Sequence, residues 1–237
     1  MSNKVLCLHG FLQSGKVFSE KSSGLRKLLK KSGLQLDYID GPITLTQKDL
    51  PFEVDDEKWN EIVNADINKA WFYHDSISKN LNIEKALSTI SKHIEDNGPY
   101  IGIIGFSQGA AMSVIVSNII KSKYGKDYFK FAVHIAGYTF TEPRDLENPN
   151  PDDLVITSQY VDHFTPPLDD PEYKTENIII YGENDNSVPG KRTEYLANLY
   201  PEVLKMVYKH DGGHFVPNKK DFLRPLVEEI EKALISH

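Results

Sequence analysis

The chain has 237 residues, enough for one large domain or two small ones, and 40% of them are hydrophobic, ample for a buried core. A formal net charge of -7 argues against a nucleic-acid or anionic-membrane partner, since both need clustered lysine and arginine. The single cysteine, Cys7, excludes a disulfide framework within the chain.

The first strand is expected over residues 4–9, where Cys7 lies among Val5, Leu6 and Leu8 as a small buried hydrophobe. That apolar run is too short for a signal peptide or a membrane span, so a soluble cytoplasmic protein is expected. The next helix carries Lys27, Lys30 and Lys31, read as a solvated face. Further strands are expected over 35–40, 100–106, 131–136, 177–182 and 203–208. Most are almost continuously apolar, as strands buried on both faces are. Between them, Leu87, Ile90 and Ile94 mark a helix near 82–97, and Met112, Ile115, Val116, Ile119 and Ile120 mark another. A last stripe runs through Leu223, Leu226, Val227, Ile230 and Leu234, with Pro225 expected in that helix's first turn. Alternating strands and helices imply right-handed crossovers and a parallel sheet covered on both sides.

Two stretches break this rhythm. Residues 42–81 hold both tryptophans, Trp59 and Trp71, followed by Phe72 and Tyr73. Residues 139–173 hold six of the thirteen prolines, nine acidic residues and one basic residue, Arg144. The second composition predicts a surface excursion rather than a core of its own. Both leave from carboxyl ends of strands, the edge where open α/β sheets bind ligands, so both are candidate pocket walls or lids. The acid excess predicts that the mouth disfavours anionic leaving groups.

The sharpest motif is Gly105-Phe106-Ser107-Gln108-Gly109, placed between a strand and a helix as a nucleophile elbow requires. The turn pushes the serine hydroxyl forward, and glycines on either side let the neighbouring backbone pass. Gln108 then heads a helix, where its amide favours negative charge. In this architecture an acid and then a histidine are expected downstream. Asp185 falls in the turn after the 177–182 strand, with Glu183 as its competitor. His214 follows Gly212-Gly213 beyond the last strand, with His210 as its competitor. The glycine pair makes a helix there implausible, so His210 and His214 are not read as metal ligands. Ser107, Asp185 and His214 are therefore the expected triad, and the other histidines, among them His9, His74, His134 and His237, are read as structural.

The first turn is ambiguous. Gly10-Phe-Leu-Gln-Ser-Gly15-Lys16 fits a phosphate loop, while His9-Gly10-Phe11 fits the start of an oxyanion loop. A phosphate loop wants Ser or Thr after its lysine to hold Mg²⁺, and Val17 stands there. The oxyanion reading also accounts for the Ser–Asp–His series. It assigns the backbone N–H groups of Phe11 and Gln108 to the oxyanion.

"LHGFLQSGKVFSEKSSGLRKLLKK", "GFSQGAAMS", "YGENDNSVP" and "HDGGHFVPNKK", together with "PFEVDDEKWN" and "AWFYHDSIS", closely resemble the family of serine hydrolases found in fungi, which is related to the ovarian-tumour-associated hydrolases of animals. The resemblance implies an α/β-hydrolase fold, a Ser107–Asp185–His214 triad, Phe11 and Gln108 as backbone donors, and cleavage of short to medium acyl esters or thioesters. The reading is then a single domain over 1–237 with a mostly parallel six-stranded sheet in the order 2-1-3-4-5-6. A carboxylesterase is expected, with an acyl thioesterase as the alternative. A nucleotide-binding protein and a non-catalytic ligand-binding homologue are the other rivals. Trp71, Phe72 and Leu12 are the candidate substrate pocket, and no cofactor or metal is implied. The partner is a small acyl ester or thioester.

Overall fold

In chain order the elements are β1 (Lys4–Leu8), α1 (Gly15–Lys21), α2 (Ser23–Lys31), β2 (Gln35–Ile39), β3 (Ile43–Thr44), α3 (Asp56–Asn64), β4 (Lys69–Ala70), α4 (Glu84–Asn97), β5 (Gly102–Phe106), α5 (Gln108–Tyr124), β6 (Phe131–Ile135), β7 (Thr141–Pro143), β8 (Leu154–Ile156), α6 (Val161–Phe164), β9 (Glu176–Gly182), α7 (Gly190–Ala197), β10 (Lys205–His210) and α8 (Lys220–Ile235). This computed structural model describes residues 2–73, 81–150 and 153–235. His74, His237 and parts of both excursions (74–80 and 151–152) lie outside the described residues.

Six strands form one sheet in the order β2-β1-β5-β6-β9-β10, every neighbouring pair parallel. Numbered along the chain, those six strands run 2-1-3-4-5-6 as expected, in an α/β-hydrolase fold. Side chains alternate across each strand. Val5 and Cys7 face one side with Phe18 of α1, Leu25 and Leu29 of α2, and Leu226 and Ile230 of α8. Leu6 and Leu8 face the other with Ile90 of α4 and Met112 and Ile115 of α5. Because both faces are covered, the central strands are apolar throughout rather than alternating.

Three local expectations change. β10 begins at Lys205, two residues later than the apolar run suggests, because residues 202–204 form a 3₁₀ turn after Pro201 and Val203 is 83% exposed. Pro225 lies in the second turn of α8, whose first residue is Lys220. There it forfeits only the bond to the carbonyl of Asp221, near the solvent-facing helix end, so the helix continues. The 139–173 stretch is more than a surface excursion. Phe140, Tyr160, Phe164 and Tyr173 are buried in the core that contains Leu6 and Leu8. Phe140 meets Phe72, Tyr160 and Phe164 edge-on, with ring centroids 4.9, 4.9 and 5.0 Å away. Its acids turn outward to partners: Asp170 and Glu172 to Lys121 at 2.9 and 2.7 Å, and Asp153 to Arg144 at 2.9 Å.

Among the described residues, no helix is long and apolar enough to cross a membrane.

Candidate active site

Ser107 sits between β5 and α5 with φ 54° and ψ -116°, a conformation that non-glycine residues avoid. The flanking glycines explain how the turn closes. A Cβ at Gly105 would stand 2.3 Å from the carbonyl oxygen of Gly109, and one at Gly109 would stand 2.2 Å from that of Leu8. The serine amide donates to the carbonyl of Ile135 at 2.8 Å, fixing the elbow to the neighbouring strand.

His214 Nε2 lies 3.0 Å from Ser107 Oγ, and its Nδ1 lies 2.7 Å from Asp185 Oδ2. The Asp185 side chain is fully buried. Its Oδ1 accepts from the amides of Ser187 and Val188, both at 2.8 Å, so one oxygen closes the turn while the other meets the imidazole. Glu183 is exposed. The acid and histidine loops are laced together by three bonds: Glu183 N–H to the His210 carbonyl at 2.8 Å, Asn184 N–H to that of Gly212 at 3.1 Å, and Asn184 Nδ2 to that of Asp211 at 2.7 Å. The Phe106 ring lies 4.9 Å from the His214 ring, limiting its rotation. His210 takes no part in this chain; its ring packs between Phe215 and Phe222, and burial lowers its pKa.

The first loop is held by His9. Its Nδ1 donates to the Gly10 carbonyl at 2.7 Å, and its Nε2 accepts from Gly41 N–H at 2.8 Å. That pair of bonds requires the neutral ring with its proton on Nδ1. Burial agrees, pushing the pKa of His9 down to about 4. The loop does not cradle phosphate: the Gly15 amide already donates to Asp40 Oδ1 at 2.7 Å, and Ser14 caps α1.

Gln108 contributes more than its amide. Its side chain is wholly buried, accepting from Trp71 N–H at 2.8 Å and donating to the Phe72 carbonyl at 2.7 Å. Trp71 in turn donates from Nε1 to the His9 carbonyl at 2.9 Å. Trp71 is therefore a buried brace for the loop. Leu12, in the left-handed region at φ 52°, packs with Phe11 against Ile43, Leu45 and Ala70. Of the three candidate pocket residues, Phe72 lines a cavity of about 240 Å³ together with Tyr138, Phe140, Tyr160 and Arg192. The three aromatic partners give no sequence signal, because isolated aromatics outside a periodic pattern mark no face, and Arg192 is one charge among several on α7. A second cavity, about 540 Å³, opens beside His214, Phe106, Phe215 and Val216. A larger one of about 830 Å³, near Ser14, Asp40 and His93, includes none of Ser107, Asp185 and His214.

The profile of the serine hydrolase (FSH1) family matches residues 1–226. The chain belongs to that family. This FSH1-family chain is 30% identical over 245 residues to "Family of serine hydrolases 3" of Saccharomyces cerevisiae, covering 96% of this chain and 83% of that protein. It is 27% identical to "Esterase OVCA2" of Danio rerio over 90% of each. Among solved structures it resembles SOBER1 of Arabidopsis thaliana (TM-score 0.59, 18% identity, 99% and 98% of the two chains). It also resembles acyl-protein thioesterase 2 of Zea mays (TM-score 0.59, 15% identity, 99% and 93%). At those identities the structures speak for the α/β-hydrolase fold. The family membership makes this chain a serine hydrolase.

Proposed function

We propose that the protein is a carboxylesterase for short- to medium-chain acyl esters, working through a Ser107–His214–Asp185 triad within a single domain. The observation that carries this reading is the unbroken hydrogen-bond chain from Ser107 Oγ through both imidazole nitrogens to a buried carboxylate. The single-domain reading is supported by the shared core, in which aromatics from both excursions pack with strand residues Leu6 and Leu8.

In this reading His214 Nε2 takes the Ser107 proton as Oγ attacks the acyl carbonyl. Asp185 holds the Nδ1 proton, orienting the ring and stabilising imidazolium. The oxyanion accepts from the main-chain N–H groups of Gln108 and Phe11. Gln108 heads α5, where the first amides lack helical partners, and the neutral His9 braces the Phe11 loop. Losing one such donor costs about 3 kcal/mol of transition-state stabilisation. His214 then protonates the leaving alkoxide, and a water deprotonated by the same nitrogen releases the acid from the acyl-enzyme. The glycine-flanked, strained serine keeps Oγ forward throughout without a rotamer search.

The test is a kinetic screen over paired oxygen and sulfur esters of graded acyl length. Preference for oxygen esters with an optimum at short or medium chains is expected. A uniform sulfur-ester preference would make the protein a thioesterase using the same residues, and no turnover of either series would end the catalytic reading.

A further inference from the structure

Two cavities offer room for the two parts of a substrate: one is lined by His214, and the other, lined by none of the triad residues, is joined to the elbow through Gln108 and Phe72. His214 lines the cavity with Phe106 and Phe215 and, as the group that protonates the leaving atom, marks that side for the alcohol. The cavity walled by Phe72, Tyr138 and Phe140 does not include His214. Its wall is tied to the nucleophile's neighbour by the Gln108–Phe72 bond, which leaves this space for the acyl chain.

That space, lined by aromatic rings and by Thr141, Glu142 and Thr157, has a cation in its lining. Arg192, on α7, is half-buried, and its Cζ lies 4.4 Å from the centroid of the Tyr138 ring. Among the described residues its one side-chain hydrogen bond is long, Nη2 to the Thr139 carbonyl at 3.5 Å. Among the described residues no Asp or Glu forms an ion pair with it, although Glu142 lines the same cavity. A guanidinium carries five N–H donors in a planar fork that matches a carboxylate. Here most of those donors meet no acceptor among the described residues, and burial pulls the group's pKa below its ordinary value. A half-buried charge without a counter-ion is costly to keep unless a ligand supplies one. Asp153, Asp170 and Glu172 of the neighbouring stretch pair with Arg144 and Lys121 instead.

We propose that Arg192 binds a carboxylate at the far end of a short acyl chain, so that the preferred substrates are half-esters or half-thioesters of short dicarboxylic acids. This rests on Ser107 being the acyl acceptor. The Phe72, Phe140 and Tyr160 rings hold the methylenes, the Tyr138 face orients the guanidinium, and the fork receives the terminal carboxylate. The cavity volume, about 240 Å³, suits a chain of a few carbons.

The experiment compares monoethyl adipate, ethyl hexanoate and the hexanoyl ester of glycolic acid, which carries its carboxylate on the alcohol side. Wild-type protein should show kcat/KM at least about tenfold higher for monoethyl adipate than for ethyl hexanoate, as a charge-assisted pair provides. Arg192→Met keeps the stem over Tyr138 and removes the charge. It should abolish that preference, chiefly by raising KM for monoethyl adipate, while kcat on ethyl hexanoate remains measurable and the melting temperature does not fall. Arg192→Lys should fall between the two. Equal loss on both ethyl esters, no loss on monoethyl adipate, or a preference that follows the alcohol-side carboxylate would overturn the proposal. Calorimetric binding of monoethyl adipate to Ser107→Ala protein reads the anion site without turnover. Arg192→Met must weaken it at least about tenfold; binding that is absent or unweakened overturns the proposal even where the esterase reading stands.

Discussion

Two regions, the elbow that holds the serine and the aromatic wall packed on Phe72, are specified in different ways. Residues 105–111 form the elbow from local chemistry: Ser107 holds φ 54°, and the glycines beside it admit backbone within 2.3 Å of where a Cβ would stand. Residues 138–164 meet Ser107's surroundings only through tertiary packing, with Phe140 at the centre of contacts to Phe72, Tyr160 and Phe164. The reacting half tolerates almost no substitution, because its geometry is backbone geometry. The binding half is a wall of side chains, so its changes should alter stability and selectivity and leave the reacting atoms in place.

The sharpest way to break this contrast is in the reacting half. Asp185→Asn retains an acceptor for the Ser187 and Val188 amides but offers the wrong group to His214 Nδ1. It should lower kcat by about 10⁴ while the fold survives, as read by steady-state kinetics beside circular dichroism. A loss below tenfold would move the orienting role elsewhere, with Glu183 the next residue to test.

In the binding half, Phe140→Ala removes a buried ring and three edge-on contacts. It should cost about 3–5 kcal/mol of stability in urea unfolding. At temperatures where the variant is folded, Ser107 should still react with an active-site-directed fluorophosphonate. Loss of labelling by folded protein would mean that the two halves are coupled.

Acid should act through two buried neutral imidazoles. His9, in the oxyanion loop, and His134, in β6, have pKa values pushed by burial from the ordinary 6.5 down to about 4. Above pH 6.5 both are neutral folded or unfolded and contribute nothing to pH dependence. As pH falls from 6.5 to 4, the unfolded chain takes up the protons first, so stability drops by up to about 3 kcal/mol for each. Urea unfolding at pH 7 and pH 4.5 measures this. His9→Gln should remove His9's share of the drop, and an undiminished drop would contradict the assignment.

The smallest effect is expected where the halves touch. Gln108→Leu leaves Trp71 N–H and the Phe72 carbonyl without their partner, while the main-chain donor at 108 remains. A fall of about tenfold to a hundredfold in kcat/KM is expected, the equivalent of one or two unsatisfied buried groups. Gln108→Glu keeps an acceptor for Trp71 and should lose less.

How much of this was legible in the sequence follows from the same contrast. The four central strands stand out because strands buried on both faces are nearly continuous apolar runs, and the order of the six comes with the α/β-hydrolase resemblance. Ser107, Asp185 and His214 stood out because each sits in a turn whose glycines or proline mark it locally. The start of β10 slipped because Val203 is apolar yet lies in an exposed turn. Trp71 suggested a pocket, but its indole N–H is used to brace the His9 carbonyl. Arg192 carries no motif, and only packing against Tyr138 gives it meaning.

Mapping the covalent adduct after fluorophosphonate treatment, by intact mass and peptide sequencing, tests the central claim most directly. The account predicts a single adduct on Ser107 in the wild type and none in Ser107→Ala. An adduct on any other residue, or undiminished labelling of Ser107→Ala, would contradict it.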